Sequence, residues 1–264
     1  MNYLIVKCGG SIISKLPASF YTDLVEVKRK GTVHPIIVHG GGPNISSLLH
    51  AMNIETTFVN GLRKTTEQVL EVVEMVLSGS VNKQLVRQIM QAGGTGFGLS
   101  GVDGMLLEAK SVENVADLGL VGEVVNVNKD ILLQIMEKEM IPVISPVAVD
   151  KFGQNYNINA DMAASAIAKS LQGSLCMITD VDGVLLDTEI VHTLSDKKAT
   201  SLIENNKITG GMIPKVKAAF DCLAEGVAEV AIINGAKEHA LLQFVEGNSV
   251  GTILYLEEAI EQIG

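Results

Sequence analysis

A three-layer α/β/α sandwich built around a largely parallel sheet is the fold class the sequence predicts. Three observations carry it. Short β-branched runs alternate with segments of helical period; two of those runs end in glycine clusters; and no internal repeat, low-complexity tract or long linker breaks the alternation. With 264 residues, 47% of them hydrophobic, the chain can bury a large core as one domain or two lobes.

Composition narrows the function. A net charge of −10 with no Lys/Arg run argues against a nucleic-acid partner. No apolar run approaches the roughly 18 residues of a membrane span, and the apolar part of Met1–Lys7 is too short for a secretory leader. Cys8, Cys176 and Cys222 are an odd, sparse set inside apolar stretches, which points to reduced thiols in the cytoplasm, and the absence of a CxxC pair with only five scattered histidines argues against a zinc site.

Tyr3-Leu4-Ile5-Val6-Lys7 reads as the first strand, followed by the bend Cys8-Gly9-Gly10-Ser11. A helix from about Ser19 to Arg29 returns the chain to a second strand ending at Val38. His39-Gly40-Gly41-Gly42-Pro43 then leads into an amphipathic segment from Ile45 to Met52. Glycines at a strand-to-helix joint let consecutive N–H groups crowd around a ligand, and a helix amino end adds unpaired donors and partial positive charge. The reading is an anion site; the alternative is a tight turn that packs helix on sheet. Two such loops at the carboxyl ends of two strands stand where open α/β sheets bind ligands.

A long helix begins at Thr65, where Thr65-Thr66-Glu67-Gln68 has capping-box spacing and Val69, Val72, Val73, Val76 and Leu77 form an apolar stripe. Arg63, just ahead of it, is a candidate carboxylate clamp or else a solvated arginine. Gly96-Phe97-Gly98-Leu99-Ser100-Gly101 matches the dinucleotide fingerprint G-x-G-x-x-G in letters only, because no strand precedes it and no helix follows. These glycines are expected to pack strands closely near a substrate.

Short strands and hairpins are expected from Met105 to Val127, a helix capped by Asn128 through Glu139, and a buried strand at Ile141–Ser145. In Tyr156-Asn157-Ile158-Asn159-Ala160-Asp161 the polar residues 157, 159 and 161 alternate and would share one face of an extended segment. They suggest a site, compatible with Asp161 capping the helix Met162–Leu171. Ser174–Thr179 is a strand, and Asp180–Leu186 reads as a hairpin bend from its Asp182-Gly183 pair. Asn205 to Lys215 is a loop entering a helix that ends near Gly226, and Glu229–Ile233 is one more strand. A change of lobe near residue 172 divides the chain into 1–172 and 173–264.

Two glycine loops, three separated cations (Lys7, Arg63, Lys215) and one acid at a helix start (Asp161) suit phosphoryl transfer, where the protein positions groups and neutralises charge. Neither a G-x-x-x-x-G-K-[ST] loop nor the protein-kinase motif set occurs.

Over essentially its whole length the sequence resembles the amino acid kinase family and, within it, the N-acetylglutamate kinases. The matching segments are Lys7-Cys8-Gly9-Gly10, Val38-His39-Gly40-Gly41-Gly42-Pro43, Asn60-Gly61-Leu62-Arg63-Lys64-Thr65, Asn157-Ile158-Asn159-Ala160-Asp161, Thr179-Asp180-Val181-Asp182-Gly183-Val184 and Thr209-Gly210-Gly211-Met212-Ile213-Pro214-Lys215-Val216. The resemblance implies the two-lobed amino acid kinase fold, ATP with Mg²⁺, and transfer to the γ-carboxylate of N-acetyl-L-glutamate in arginine biosynthesis. By the same resemblance Lys7 and Lys215 would stabilise the phosphoryl group in flight, with Asp161 holding both ammonium groups. Gly10, Gly41 and Gly42 would donate N–H groups, Arg63 would grip the α-carboxylate, and Asn157 and Asn159 would help fix the acceptor. Asp180, Val181, Asp182, Gly183, Val184 and Leu185, with Lys207, Ile208, Thr209, Gly210 and Gly211, would line the nucleotide. No side chain is assigned to a metal.

Cys8 stands where the family more often has an apolar residue; it is read as buried and inert, against a reactive thiol beside Lys7. Family members inhibited by arginine carry an extra amino-terminal helix that joins dimers into hexamers, and here the first strand starts at Tyr3. The expectation is a homodimer insensitive to arginine. Two rivals are a same-fold kinase acting on another acidic amino acid, such as a carrier-bound aminoadipate or glutamate, and a non-catalytic metabolite sensor.

Overall fold

The structure, a computed structural model, describes residues 2–113 and 115–257; Met1 and positions 258–264 of the expected second lobe lie outside the described residues. Eight strands form the central sheet: β1 (Asn2–Cys8), β2 (Val33–His39), β3 (Gly96–Ser100), β4 (Ile141–Ser145), β5 (Ser174–Thr179), β6 (Thr193–Ser195), β7 (Val230–Asn234) and β8 (Thr252–Tyr255). Their spatial order is β6-β8-β7-β5-β1-β2-β4-β3, and every neighbouring pair is parallel except β7 with β8. The α/β sandwich with a largely parallel sheet is therefore the observed fold.

Side-chain alternation along β1 sorts the two layers of helices. Leu4, Val6 and Cys8 join the core that also holds residues of α1 (Ala18–Lys30), α2 (Gly42–Ala51), α3 (Glu67–Glu74) and α4 (Asn82–Gln91). Ile5 joins the opposite core, against α5 (Lys129–Glu137), α6 (Ala160–Leu171), α7 (Asp196–Glu204) and α8 (Met212–Ala224). Lys7 has the parity of Ile5. It emerges from the carboxyl end of β1 on the side where α6 and α8 begin, and that placement makes the site. A further helix, α9 (Ala240–Val245), packs on the α1 side.

Beside this edge the strands Leu107–Ser111, Val121–Val127, Val147–Val149 and Asn155–Ile158 close into a small barrel, and Phe58–Val59 pairs with Leu62–Arg63 in a short hairpin.

Several expectations need correction. The cap of α3 is Thr66, whose hydroxyl accepts from the Val69 amide, so the capping box written on Thr65 and Gln68 does not form. Thr65 is consumed elsewhere: its amide donates to the Leu118 carbonyl, its carbonyl accepts from Leu120, and its hydroxyl donates to the Arg63 carbonyl. The Gly96–Ser100 run is itself β3, and its glycines admit α4 rather than a substrate. A Cβ at Gly98 would strike the Asn82 side chain, and one at Gly96 would meet Val86 and Ile89. Asp182-Gly183 is not the hairpin turn. The hairpin joins Leu185–Leu186 to Glu189–Ile190 and turns at Asp187, while Gly183 sits at φ +129° with the Thr252 hydroxyl 2.7 Å from where a Cβ would be. Asn128 precedes α5 without a side-chain cap bond, its amide reaching the Gly104 carbonyl instead.

Candidate active site

The carboxyl ends of β1, β2 and β5 bring the glycine loops and Asp180 to one edge of the sheet. The two loops touch. A Cβ on Gly10 would lie 2.7 Å from the Gly42 nitrogen and 2.8 Å from the Gly41 nitrogen, so only glycine lets these main chains meet. Among the described residues the amides of Gly10, Gly41 and Gly42 make no backbone hydrogen bond, and Gly41 and Gly42 open α2. Unfilled donors at a helix amino end form a cradle for an anion.

Behind this cradle, buried His39 is held on both sides: Asn82 Nδ2 lies 3.2 Å from Nε2, and Nδ1 lies 3.1 Å from the Gly40 carbonyl. Burial pushes its pKa down to about 4, so the ring is neutral near pH 7.

Two cavities open from the cradle. The first, about 230 Å³, is bordered by Gly10, the Gly40–Gly42 loop, Arg63, Asn157 and Asn159. Arg63, 7% exposed, is fixed by several contacts: Nη1 to Thr56 Oγ1 at 2.6 Å, Nη2 to Ser46 Oγ at 2.8 Å and to the Gly42 carbonyl at 3.2 Å, with the Phe58 ring centroid 4.6 Å from Cζ. Burial pulls its pKa below the ordinary arginine value. The guanidinium is therefore buried and held in one orientation at the cavity wall, not a solvated charge. Asn157 donates to Thr65 Oγ1 at 3.1 Å. Asn159 caps α6, its Oδ1 accepting from the amides of Asp161 at 2.8 Å and Met162 at 3.4 Å. The expected extended segment stops at Ile158, and a strand end, a cap and a first helical turn bring residues 157, 159 and 161 to the same cavity.

The second cavity, about 240 Å³, is bordered by Thr179, Asp180, Pro214 and Lys215. Lys7, Gly9 and Asp161 line both. They form a shared wall, with Lys7 Nζ 2.7 Å from Asp161 Oδ1. Asp161 was expected to hold both ammonium groups; the carboxylate facing Lys215 is instead Asp180, whose Oδ1 is 3.8 Å from Nζ. Hydrogen bonding from Lys15 and from its own backbone amide, and then the charges of Lys15 and Lys215, hold the Asp180 carboxyl below the usual carboxylate range.

The remaining nucleotide-side residues divide. Val184 and Ile208 are core side chains, and the Val184 amide and carbonyl are engaged with Thr252 and Val191, so these two offer a ligand main-chain atoms at most. Asp182 pairs with Lys237 at 2.8 Å and Asn234 at 2.7 Å, and Lys207 lies 3.6 Å from Asp187. The Val181 amide donates to Thr179 Oγ1, and Leu185 is on the exposed hairpin. Thr209, Gly210 and Gly211 lead into α8, with open space where Cβ atoms on the two glycines would stand.

Sequence reasoning missed Lys15, Asn82 and Phe58. Each acts through a partner distant in sequence or, for Phe58, across a two-residue hairpin; only an aromatic two residues before Asn-Gly carried any signal. A larger groove, about 800 Å³ between Val121–Val127 and α6, contains none of Lys7, Arg63 and Lys215.

A parallel sheet with two touching glycine loops, a buried, oriented arginine and two lysines on adjoining cavities has the parts of a phosphotransferase site. The chain belongs to the amino acid kinase family, whose profile matches residues 2–234. It is 46% identical to the acetylglutamate kinase of Oceanobacillus iheyensis over 267 aligned positions, covering 100% of both chains. It is 49% identical to that of a Geobacillus species, covering 88% of this chain and 90% of the relative. Among solved structures, N-acetylglutamate synthase from Neisseria gonorrhoeae superposes with a TM-score of 0.81 at 23% identity, over 96% of this chain and 59% of that one, a likeness of fold.

Proposed function

We propose that this chain transfers the γ-phosphoryl group of ATP to the γ-carboxylate of N-acetyl-L-glutamate, forming the acyl phosphate in arginine biosynthesis. The observation that carries this is the wall of Lys7, Gly9 and Asp161 shared by the Arg63 cavity and the Lys215 cavity. The relatives named acetylglutamate kinase support this acceptor over carrier-bound aminoadipate or glutamate.

In this reading Arg63 grips the α-carboxylate, and Asn157 and Asn159 orient the acceptor so that its side-chain carboxylate meets the amides of Gly41 and Gly42. The attacking group is already ionised near neutral pH, so no general base is needed. Lys7, held by Asp161, and Lys215 on the far side neutralise charge as the phosphoryl group passes between them, while the Gly10 amide receives its oxygens. Asp180 and the 181–185 and 207–211 segments attend the nucleotide. Among the described residues no cluster of three or more His, Cys, Asp or Glu side chains could hold a metal. Mg²⁺ would come with the nucleotide and would supply neutralisation of the charge on its phosphates.

The division into lobes at residue 172 follows from this assignment, with the acceptor on the first and the nucleotide on the second. A homodimer fits β3, which among the described residues pairs only with β4 and carries exposed Phe97 beside exposed Met90 of α4. Three free, buried thiols suit a reducing cytoplasm.

An ATP-dependent hydroxamate assay against a panel of acidic amino acids tests the reading. Product with N-acetylglutamate and none with glutamate is expected; the reverse preference would replace the acceptor.

A further inference from the structure

Asp180 stands between two lysines. Its Oδ1 faces Lys215 at 3.8 Å, while its Oδ2 accepts a hydrogen bond from Lys15 at 3.2 Å. Lys215 and Asp180 border the second cavity, and Lys15 does not. We propose that Lys15 is a positioning residue: by occupying the outer oxygen of Asp180 it keeps Lys215 free for the transferred phosphoryl group. The inference rests on the phosphotransferase reading above.

The distances carry the argument. An ammonium beside an unshared carboxylate closes to a charge-assisted hydrogen bond of about 2.8 Å. Lys215 stays a full ångström longer, beyond hydrogen-bond reach, while the shorter contact goes to Lys15. With Asp180 partly neutralised from behind, Lys215 is not drawn onto it, and an incoming polyphosphate meets less negative charge at the cavity wall.

The segment bearing Lys15 is anchored. Ile12 and Ile13 are buried in the core, the Ile12 amide donates to the Gly9 carbonyl, and the Lys15 amide donates to the Ile12 carbonyl in the Ile13–Lys15 turn. Lys15 therefore links the first glycine loop to the residue that follows β5. A structural purpose does not account for the pair. Its side chains are 57% and 45% exposed, and solvent-exposed ion pairs add little to stability.

Steady-state kinetics of the intact protein with ATP and N-acetylglutamate test the assignment. K15Q is expected to lower kcat about fivefold, the scale of one partly exposed ion pair, with KM for N-acetylglutamate and Tm unchanged. K15R is expected to restore kcat. In a D180N background, K15Q is expected to cause no further loss. An active wild type with normal kcat in K15Q, or an equal loss in the D180N background, overturns the role of Lys15 alone. A wild type that makes no acyl phosphate overturns the functional reading, and Lys15's role with it.

Discussion

The Asn82 side-chain amide lies 3.2 Å from Nε2 of His39, and this contact selects the tautomer of the buried neutral ring behind the second glycine loop. Its orientation is fixed by its other neighbours. Nδ2 also reaches the carbonyls of Val143 at 2.8 Å and Leu99 at 3.3 Å, and Oδ1 accepts from Lys83 at 3.0 Å. Nε2 must then be the acceptor, which leaves the proton on Nδ1 to donate to the Gly40 carbonyl.

Replacing Asn82 with Leu strips donors from two buried strand carbonyls and from His39. A loss of about 2–4 kcal/mol of stability is expected, since each orphaned buried acceptor costs roughly 1–3 kcal/mol. Urea denaturation of Asn82→Leu checks it; a midpoint equal to wild type would contradict the network.

The pH dependence of stability should have two arms. His39 has a folded pKa depressed to about 4 from 6.5, so between these values the unfolded chain takes up a proton that the folded ring refuses. Its contribution, on the order of 3 kcal/mol, is complete above about pH 6.5 and is lost as pH falls toward 4. His239 behaves oppositely. Hydrogen bonding to the buried Asp23 carboxylate at 2.9 Å raises its pKa, so its contribution is present below 6.5 and is lost as pH rises through the raised folded value. Chemical denaturation at stepped pH should lose its alkaline slope in His239→Gln and keep its acid slope.

Arg63→Lys keeps the charge and removes the planar fork that Thr56, Ser46, Gly42 and Phe58 hold in place. If the fork binds the acceptor carboxylate as proposed, KM for N-acetylglutamate is expected to rise about tenfold or more with KM for ATP little changed, because a point charge cannot replace two parallel hydrogen bonds. Initial-rate kinetics with each substrate varied would measure both constants.

Lys7→Arg and Lys215→Ala should each reduce turnover by roughly a hundredfold or more, the scale of losing one charge stabiliser. Circular dichroism should show both variants folded, since these lysines are on cavity walls outside the two apolar cores. Near-normal rates would remove the lysine pair from the mechanism.

What was legible in the sequence and what was not divides along physical lines. The strands at Tyr3–Lys7 and Val33–His39 announce themselves because buried parallel strands are runs of β-branched residues, and the glycine loops announce themselves because only glycine allows the approach of Gly10 to Gly41 and Gly42. The meeting of Lys7, Asp161 and Lys215 on adjoining cavities is implied by the family resemblance and not by any local periodicity. Long-range partners left no such trace. Asn82 meets His39 across 43 positions and Lys15 meets Asp180 across 165, and neither local pattern nor spacing encodes those meetings. Local signals also lost to tertiary ones: Gly183 serves the approach of Thr252 instead of a hairpin turn, and Thr65 gave up the cap to bridge toward Gly119.

Cys8 adjoins Lys7 in the chain, yet its thiol lies within the core, and burial, outweighing the nearby ammonium, pushes its pKa up to about 12. Because Cys176 and Cys222 are enclosed as well, alkylating reagents should spare the native enzyme and mark only molecules that have opened. The rate of maleimide incorporation would then time excursions of the sheet's interior to solvent, and bound substrates that hold the molecule shut should slow that clock.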